Sequence, residues 1–311
     1  MLRRRMKSWL RSAHLSAGDR ITALATATRR SQSWAQRTMS SGVAHYLDRH
    51  GVEATTHFFR TGAGSAVVLI HGVGMNAAVW VPQAQALSCR FDVITYDTLG
   101  HGGSSVPPAD VGLEDYAHQL RALLDTLGVK KTAVVGHSMG ALIALEFALS
   151  CPERVSHVVA MNAVFRRTPD QKKAILDRVQ ALDSARQDVD SAGSIARWFG
   201  DPVPTHLRAS ADKVRDMIAD LDVVSYRRAY RLFAVSDEAH ADRVNQLTVP
   251  ALFFTGEDDP HSTPEMSRAM AELAPKGRAE ILPGERHMMA ITAPHEVNAR
   301  LLTFLVAPGE T

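Results

Sequence analysis

The sequence predicts an α/β fold: a doubly wound, mostly parallel sheet interrupted by a helical insertion. Three observations carry that prediction. Apolar runs of strand length alternate with segments whose apolar residues recur at helical spacing. The runs at 66–70, 91–96, 131–135 and 155–161 are near-continuous rather than alternating, the pattern of strands covered on both faces. From about 166 to 245 the chain turns charged and helical, with no buried strand, and this stretch is too long for an ordinary connection.

The elements follow in order. Residues 52–59 read as a first strand or strand pair ending at Gly62-Ala63-Gly64. The run at 66–70 ends in His71-Gly72-Val73-Gly74, and Asn76 caps the helix that follows. The strand at 91–96 leads into the polar glycine loop 97–105, which lacks the lysine and spacing of a nucleotide loop. Leu113, Tyr116, Leu120, Leu123, Leu124 and Leu127 share one helical face, and Gly128 stops that helix. The strand at 131–135 feeds a short turn and a second helix, which Pro152 ends. After the strand at 155–161 comes the insertion. The sheet resumes at 249–255, and a helix, a last strand at 278–282 and a final helix at 294–305 complete it.

Size and charge narrow the function. A chain of 311 residues suits one large domain with an insertion. The expected division is a basic N-terminal extension at 1–40, a core at 41–165 and 246–311, and a helical lid at 166–245. The extension holds nine Lys or Arg against one acid, Asp19, so a chain of formal charge +2 has a mildly acidic body of −6. That body argues against nucleic acid as a partner. The basic extension would make at most weak surface contact with an anionic partner such as a lipid surface. No apolar run reaches the length needed to span a bilayer. Cys89 and Cys151 form no disulfide framework, and a reduced, cytoplasmic setting is expected. No cysteine–histidine spacing points to a metal, and no cofactor is expected. A homodimer is left open.

The chemistry centres on Gly136-His137-Ser138-Met139-Gly140. A serine on a tight strand-to-helix turn projects its hydroxyl above the sheet edge, and the flanking glycines leave room for the turn. The helix that begins there aims its free N–H groups and positive end at the serine. A serine hydroxyl is a weak nucleophile at neutral pH and needs a base, which in turn needs an acid to hold it. Both follow downstream at strand ends. His287 lies in the loop after the last strand; His295 falls in the final helix, and His261 stands too near the acid. Asp259 is preferred to Asp258, because Pro260 biases Asp259 away from helical backbone, and Glu257 is a third candidate. Ahead of the serine, the Val73 N–H at the glycine turn is a candidate donor into the site. His101 reads as a structural or rim residue.

Together, His71-Gly72-Val73-Gly74, Asp97-Thr98-Leu99-Gly100-His101-Gly102, the elbow, Gly256-Glu257-Asp258-Asp259 and Gly284-Glu285-Arg286-His287 resemble the α/β-hydrolase fold superfamily. More narrowly they are similar to its small lid-bearing serine esterases and lactonases, including 3-oxoadipate enol-lactonases. The chain departs from those lactonases at His137 and at Ala141, where they carry a different residue and a second glycine. The resemblance implies Ser138 as nucleophile, Asp259 as acid and His287 as base, with backbone N–H groups of Val73 and Met139 as oxyanion donors. It implies a small-molecule carboxylic ester or lactone, cleaved through an acyl-enzyme. The alternative is a C–C bond hydrolase acting on vinylogous diketone ring-cleavage products.

Overall fold

The computed structural model describes residues 39–184 and 191–306. Of the expected basic extension, all but the last two residues lie outside the described residues. β1 (Ser40–Leu47) and β2 (Glu53–Gly62) form an antiparallel hairpin at one edge of an eight-stranded sheet. The sequence reading had no strand at 40–47. The reason is that β1 is an edge strand with only Ala44 buried, and its apolar Val43 and Leu47 are exposed. An element that buries so little leaves almost no hydrophobic pattern to read.

β3 (Ser65–Ile70) is followed by α1 (Val81–Leu87), β4 (Phe91–Tyr96), α2 (Leu113–Thr126), β5 (Thr132–His137), α3 (Met139–Ser150) and β6 (Val155–Met161). Four helices come next: α4 (Pro169–Ser184), α5 (Ser191–Phe199), α6 (Arg208–Ala219) and α7 (Val223–Val235). The core then resumes with β7 (Ala251–Gly256), α8 (Pro264–Leu273), β8 (Gly277–Leu282), α9 (Met289–Thr292) and α10 (Pro294–Val306). The sheet order is β1-β2-β4-β3-β5-β6-β7-β8; every pair from β4 to β8 is parallel, and β2 joins β4 antiparallel.

Successive residues of a strand point to opposite faces. Val67 and Leu69 accordingly join Trp80, Phe254 and Leu301 in one core, while Val68 and Ile70 join Leu120, Leu142 and Phe253 in the other. Helices cover both faces, which is why these strands read as continuous apolar runs. α3 is buried nearly all round, through residues such as Leu142, Ile143, Leu145 and Phe147. A helix apolar on every face belongs inside the protein.

This order has a consequence for the site. From β3 the chain winds outward to β4 and then returns to the other side of β3 as β5. The crevice between the C-terminal ends of β3 and β5 is therefore a switch point, where open α/β sheets bind ligands. Ile70 and Gly136 pair across it, so the loop after Ile70 and the turn after Gly136 leave the sheet side by side.

Candidate active site

β5 delivers Ser138 to that crevice. Ser138 has φ 55° and ψ −117°, a backbone conformation in the left-handed half of the map that costs a non-glycine residue strain. Its N–H donates to Met161 O at 2.8 Å, which ties the turn to β6. The two glycines are sterically required. A Cβ on Gly136 would fall 2.0 Å from Gly140 O, and one on Gly140 would fall 2.2 Å from Ile70 O. The Ser138 hydroxyl makes no hydrogen bond among the described residues, and Ser138 lines a cavity also lined by Val73 and His287.

Asp259 follows β7 and His287 follows β8; His287 lines the same cavity, and Asp259 is buried behind it. His287 Nδ1–H donates to Asp259 Oδ2 at 2.8 Å. Asn162 Nδ2 donates to the same oxygen at 2.8 Å, and the N–H groups of His261 and Ser262 donate to Oδ1 at 2.9 and 3.2 Å. Burial works against the charge on Asp259, but His287, Asn162 and the His261 N–H outweigh it and hold the carboxyl at about 2. The other candidates fall elsewhere. Asp258 and Glu257 are exposed, as is His295, and Glu257 accepts the Gly284 N–H at 3.1 Å. His261 lines the cavity but presents only its backbone N–H to Asp259.

The loop after β3 is held by two buried histidines. His71 Nε2 accepts the Thr98 N–H at 2.9 Å, and His101 Nε2 accepts the Gly74 N–H at 3.0 Å. His101 Nδ1–H donates to Leu99 O at 3.1 Å. Burial pushes His101 down to about 3, with His71 adding to the effect, so it acts as a neutral brace behind the loop. Between the braced positions, the Val73 N–H finds no acceptor among the described residues; neither does the Met139 N–H at the start of α3. Both residues are buried. Val73 lines the cavity with Ser138, and Met139 follows that serine directly in the chain.

Sequence reasoning missed two residues of this assembly. Asn162, with φ 49°, follows the last residue of β6 and secures Asp259. Its place at the C-terminal end of a buried strand was the available signal. His137 is the second. Its Nε2–H donates to His287 O at 2.8 Å, and its ring lies 4.9 Å from the His287 ring. The residue before the serine thus anchors the backbone of His287. Burial, with help from His287, drives His137 down to about 3 and keeps it neutral.

The far wall of the cavity comes from the insertion. Of the insertion's apolar residues, Ile175, Trp198, Tyr230 and Phe233 line the cavity, while Ile195, Phe199 and Ile218 pack into one of the two cores. The Trp198 ring stacks near His287, with centroids 6.1 Å apart and planes 25° from parallel. The cavity holds about 390 Å³ counting its open mouth. No group of three or more metal-binding side chains and no helix long and apolar enough to cross a membrane occurs among the described residues.

Comparison with known proteins adds three findings. A family model described as alpha/beta hydrolase fold matches residues 65–294. The chain is 36% identical over 251 residues to (E)-2-((N-methylformamido)methylene)succinate hydrolase of Acinetobacter baylyi, covering 81% of this chain and 94% of that one. Among solved structures it resembles a thermophilic esterase from Thermogutta terrifontis with malate bound (TM-score 0.76, 25% identity, 87% of this chain and 98% of that one). It also resembles the enol-lactonase from Burkholderia xenovorans (TM-score 0.75, 22% identity, 84% and 99%).

Proposed function

The chain belongs to the alpha/beta hydrolase fold family, and from that premise we propose that it is a serine hydrolase cleaving a small carboxylic ester or lactone through an acyl-enzyme. One observation carries the reading: a strained, unbonded Ser138 hydroxyl shares a cavity with His287, whose far nitrogen is held by Asp259.

The steps follow from that geometry. With Nδ1–H committed to Asp259, the free Nε2 of His287 is the nitrogen able to take a proton from Ser138 Oγ. Ser138 then adds to the substrate carbonyl. The charge that develops on the carbonyl oxygen is received by the N–H groups of Val73 and Met139. Loss of one such donor costs roughly 3 kcal/mol of barrier in sites of this type. His287 passes its proton to the leaving oxygen, the acyl group stays on Ser138, and water activated by His287 releases the acid. Asp259 stays ionised throughout, consistent with its low pKa. The insertion acts as a lid that shields the acyl-enzyme and shapes substrate choice.

A second reading keeps the machinery and changes the bond. The Acinetobacter relative acts on a succinate carrying a methylene-linked formamide rather than on a plain ester. A C–C hydrolase of vinylogous diketones stands in the same position. Assaying p-nitrophenyl esters, lactones, N-acyl enamines and diketone acids side by side separates these classes, with Ser138→Ala as the blank. Turnover of esters or lactones well above the others supports the first reading. Turnover confined to diketone acids or to N-acyl enamines overturns it.

A further inference from the structure

The insertion carries many cations, and several of them meet carboxylates of the protein. Arg167, Lys172, Lys173, Arg215 and Arg231 each reach an Asp or Glu. Arg178 of α4 does not. Its Nε donates to Tyr230 Oη at 3.2 Å, which fixes the guanidinium between α4 and α7, and the group is half-buried. Its two Nη groups find no acceptor and no carboxylate among the described residues. Arg178 and Tyr230 both line the cavity that holds Ser138 and His287.

Arg197 of α5 lines the same cavity, with Nη2 on Ser194 Oγ at 3.0 Å. His261, which burial chiefly drives down to about 3, also feels both guanidinium groups, so the two positive charges act on one small space. Ile175, Phe233 and Val73 supply apolar wall beside them. A cation withdrawn from water without an anionic partner is unfavourable, and a planar guanidinium fork matches a carboxylate with two parallel hydrogen bonds.

We propose that Arg178, positioned by Tyr230 and aided by Arg197, binds a carboxylate of the substrate, so that the preferred substrate is an acyl compound bearing a carboxylate on a short carbon chain. The inference deepens the acyl-enzyme reading and rests on Ser138 as the attacking group. A neutral alkyl ester would leave the guanidinium partly desolvated and unmatched. A carboxylate at the end of a short chain would neutralise it while the apolar wall holds the chain.

Calorimetric binding of glutarate and of its uncharged isostere glutaramide tests this on the full chain, with no need for turnover. Wild type is expected to bind glutarate at least tenfold more tightly than glutaramide. Arg178→Gln should erase that preference, and Arg178→Lys, which keeps the charge but not the fork, should retain part of it. Unchanged discrimination in folded Arg178→Gln and Arg178→Lys would overturn the proposal, as would equal affinity for the two ligands in wild type. Inorganic phosphate binding as tightly as glutarate would overturn the carboxylate assignment. Labelling of Ser138 by a fluorophosphonate, run in parallel, reports separately on the acyl-enzyme reading.

Discussion

The C-terminal edge of the sheet and the helical insertion face each other across one cavity, and they are built differently. At the sheet edge, polar groups are buried and bonded to one another. Asp259 accepts four hydrogen bonds, His137 ties the serine turn to His287, and His71 and His101 brace the loop that carries Val73. The insertion instead forms several ion pairs near the surface, as in Arg231 with Asp183 and Lys173 with Asp177. It is anchored at its base by a buried pair, Arg167 with Asp237, and by Glu146, which accepts from His240 and Arg243. Under the proposed acyl-enzyme reading, the edge sets the reaction geometry and the insertion shapes substrate choice. Surface pairs of the insertion's kind contribute little to stability.

If that division holds, substitutions at the edge remove rate, and substitutions in the insertion alter binding or stability. The largest effect is expected for Ser138→Ala, which should lower kcat by about 10⁴- to 10⁶-fold with the thermal midpoint nearly unchanged, as read by steady-state kinetics and thermal melts. Asp259→Asn should lower kcat on the order of 10⁴-fold, because the His287 ring loses the anion that holds its tautomer. Arg167→Met tests the other region. Removing the guanidinium leaves the buried Asp237 carboxylate with only Lys172, 3.8 Å away, as a paired cation among the described residues, and should cost up to about 3–5 kcal/mol in urea unfolding. Activity per folded molecule should change far less than in the two edge variants, and a loss of kcat as large as theirs would break the comparison.

Acid should act mainly on the braced histidines. Unfolded histidine titrates near 6.5, whereas folded His101 and His137 titrate near 3. Between those values the unfolded state binds more protons. Stability fully present above about pH 6.5 is therefore lost as pH falls toward 3, at roughly 1.4 kcal/mol per pH unit for each histidine. Replacing His137 with Gln should reduce the slope of unfolding free energy against pH between 6 and 4 by about one proton; an unchanged slope would contradict the neutral brace. The smallest effect is expected at Asn162→Ala. With one donor to Asp259 removed, kcat should fall about tenfold with KM nearly constant.

The same contrast explains what could be read from the sequence. The strands of the parallel core, the serine turn and the strand-end positions of Asp259 and His287 were legible, because burial on both faces and a sterically demanding turn leave few residue choices. Strand β1 was not, since an exposed edge buries too little to impose a pattern. Asn162 and His137 act through hydrogen bonds to residues about 100 and 150 positions away, and no local spacing encodes such partners. Arg178 was hidden for another reason. Within a charged helix, a guanidinium turned to the cavity looks the same as one turned to solvent.

The proposed reaction requires that Ser138 become acylated. Rapid quenching of the protein with p-nitrophenyl acetate, followed by peptide mass spectrometry, tests it most directly. Wild type is expected to carry an acetyl group on the peptide containing Ser138, formed with a burst of p-nitrophenol, and Ser138→Ala neither adduct nor burst. Steady turnover without acylation, continuing undiminished in Ser138→Ala, would contradict it.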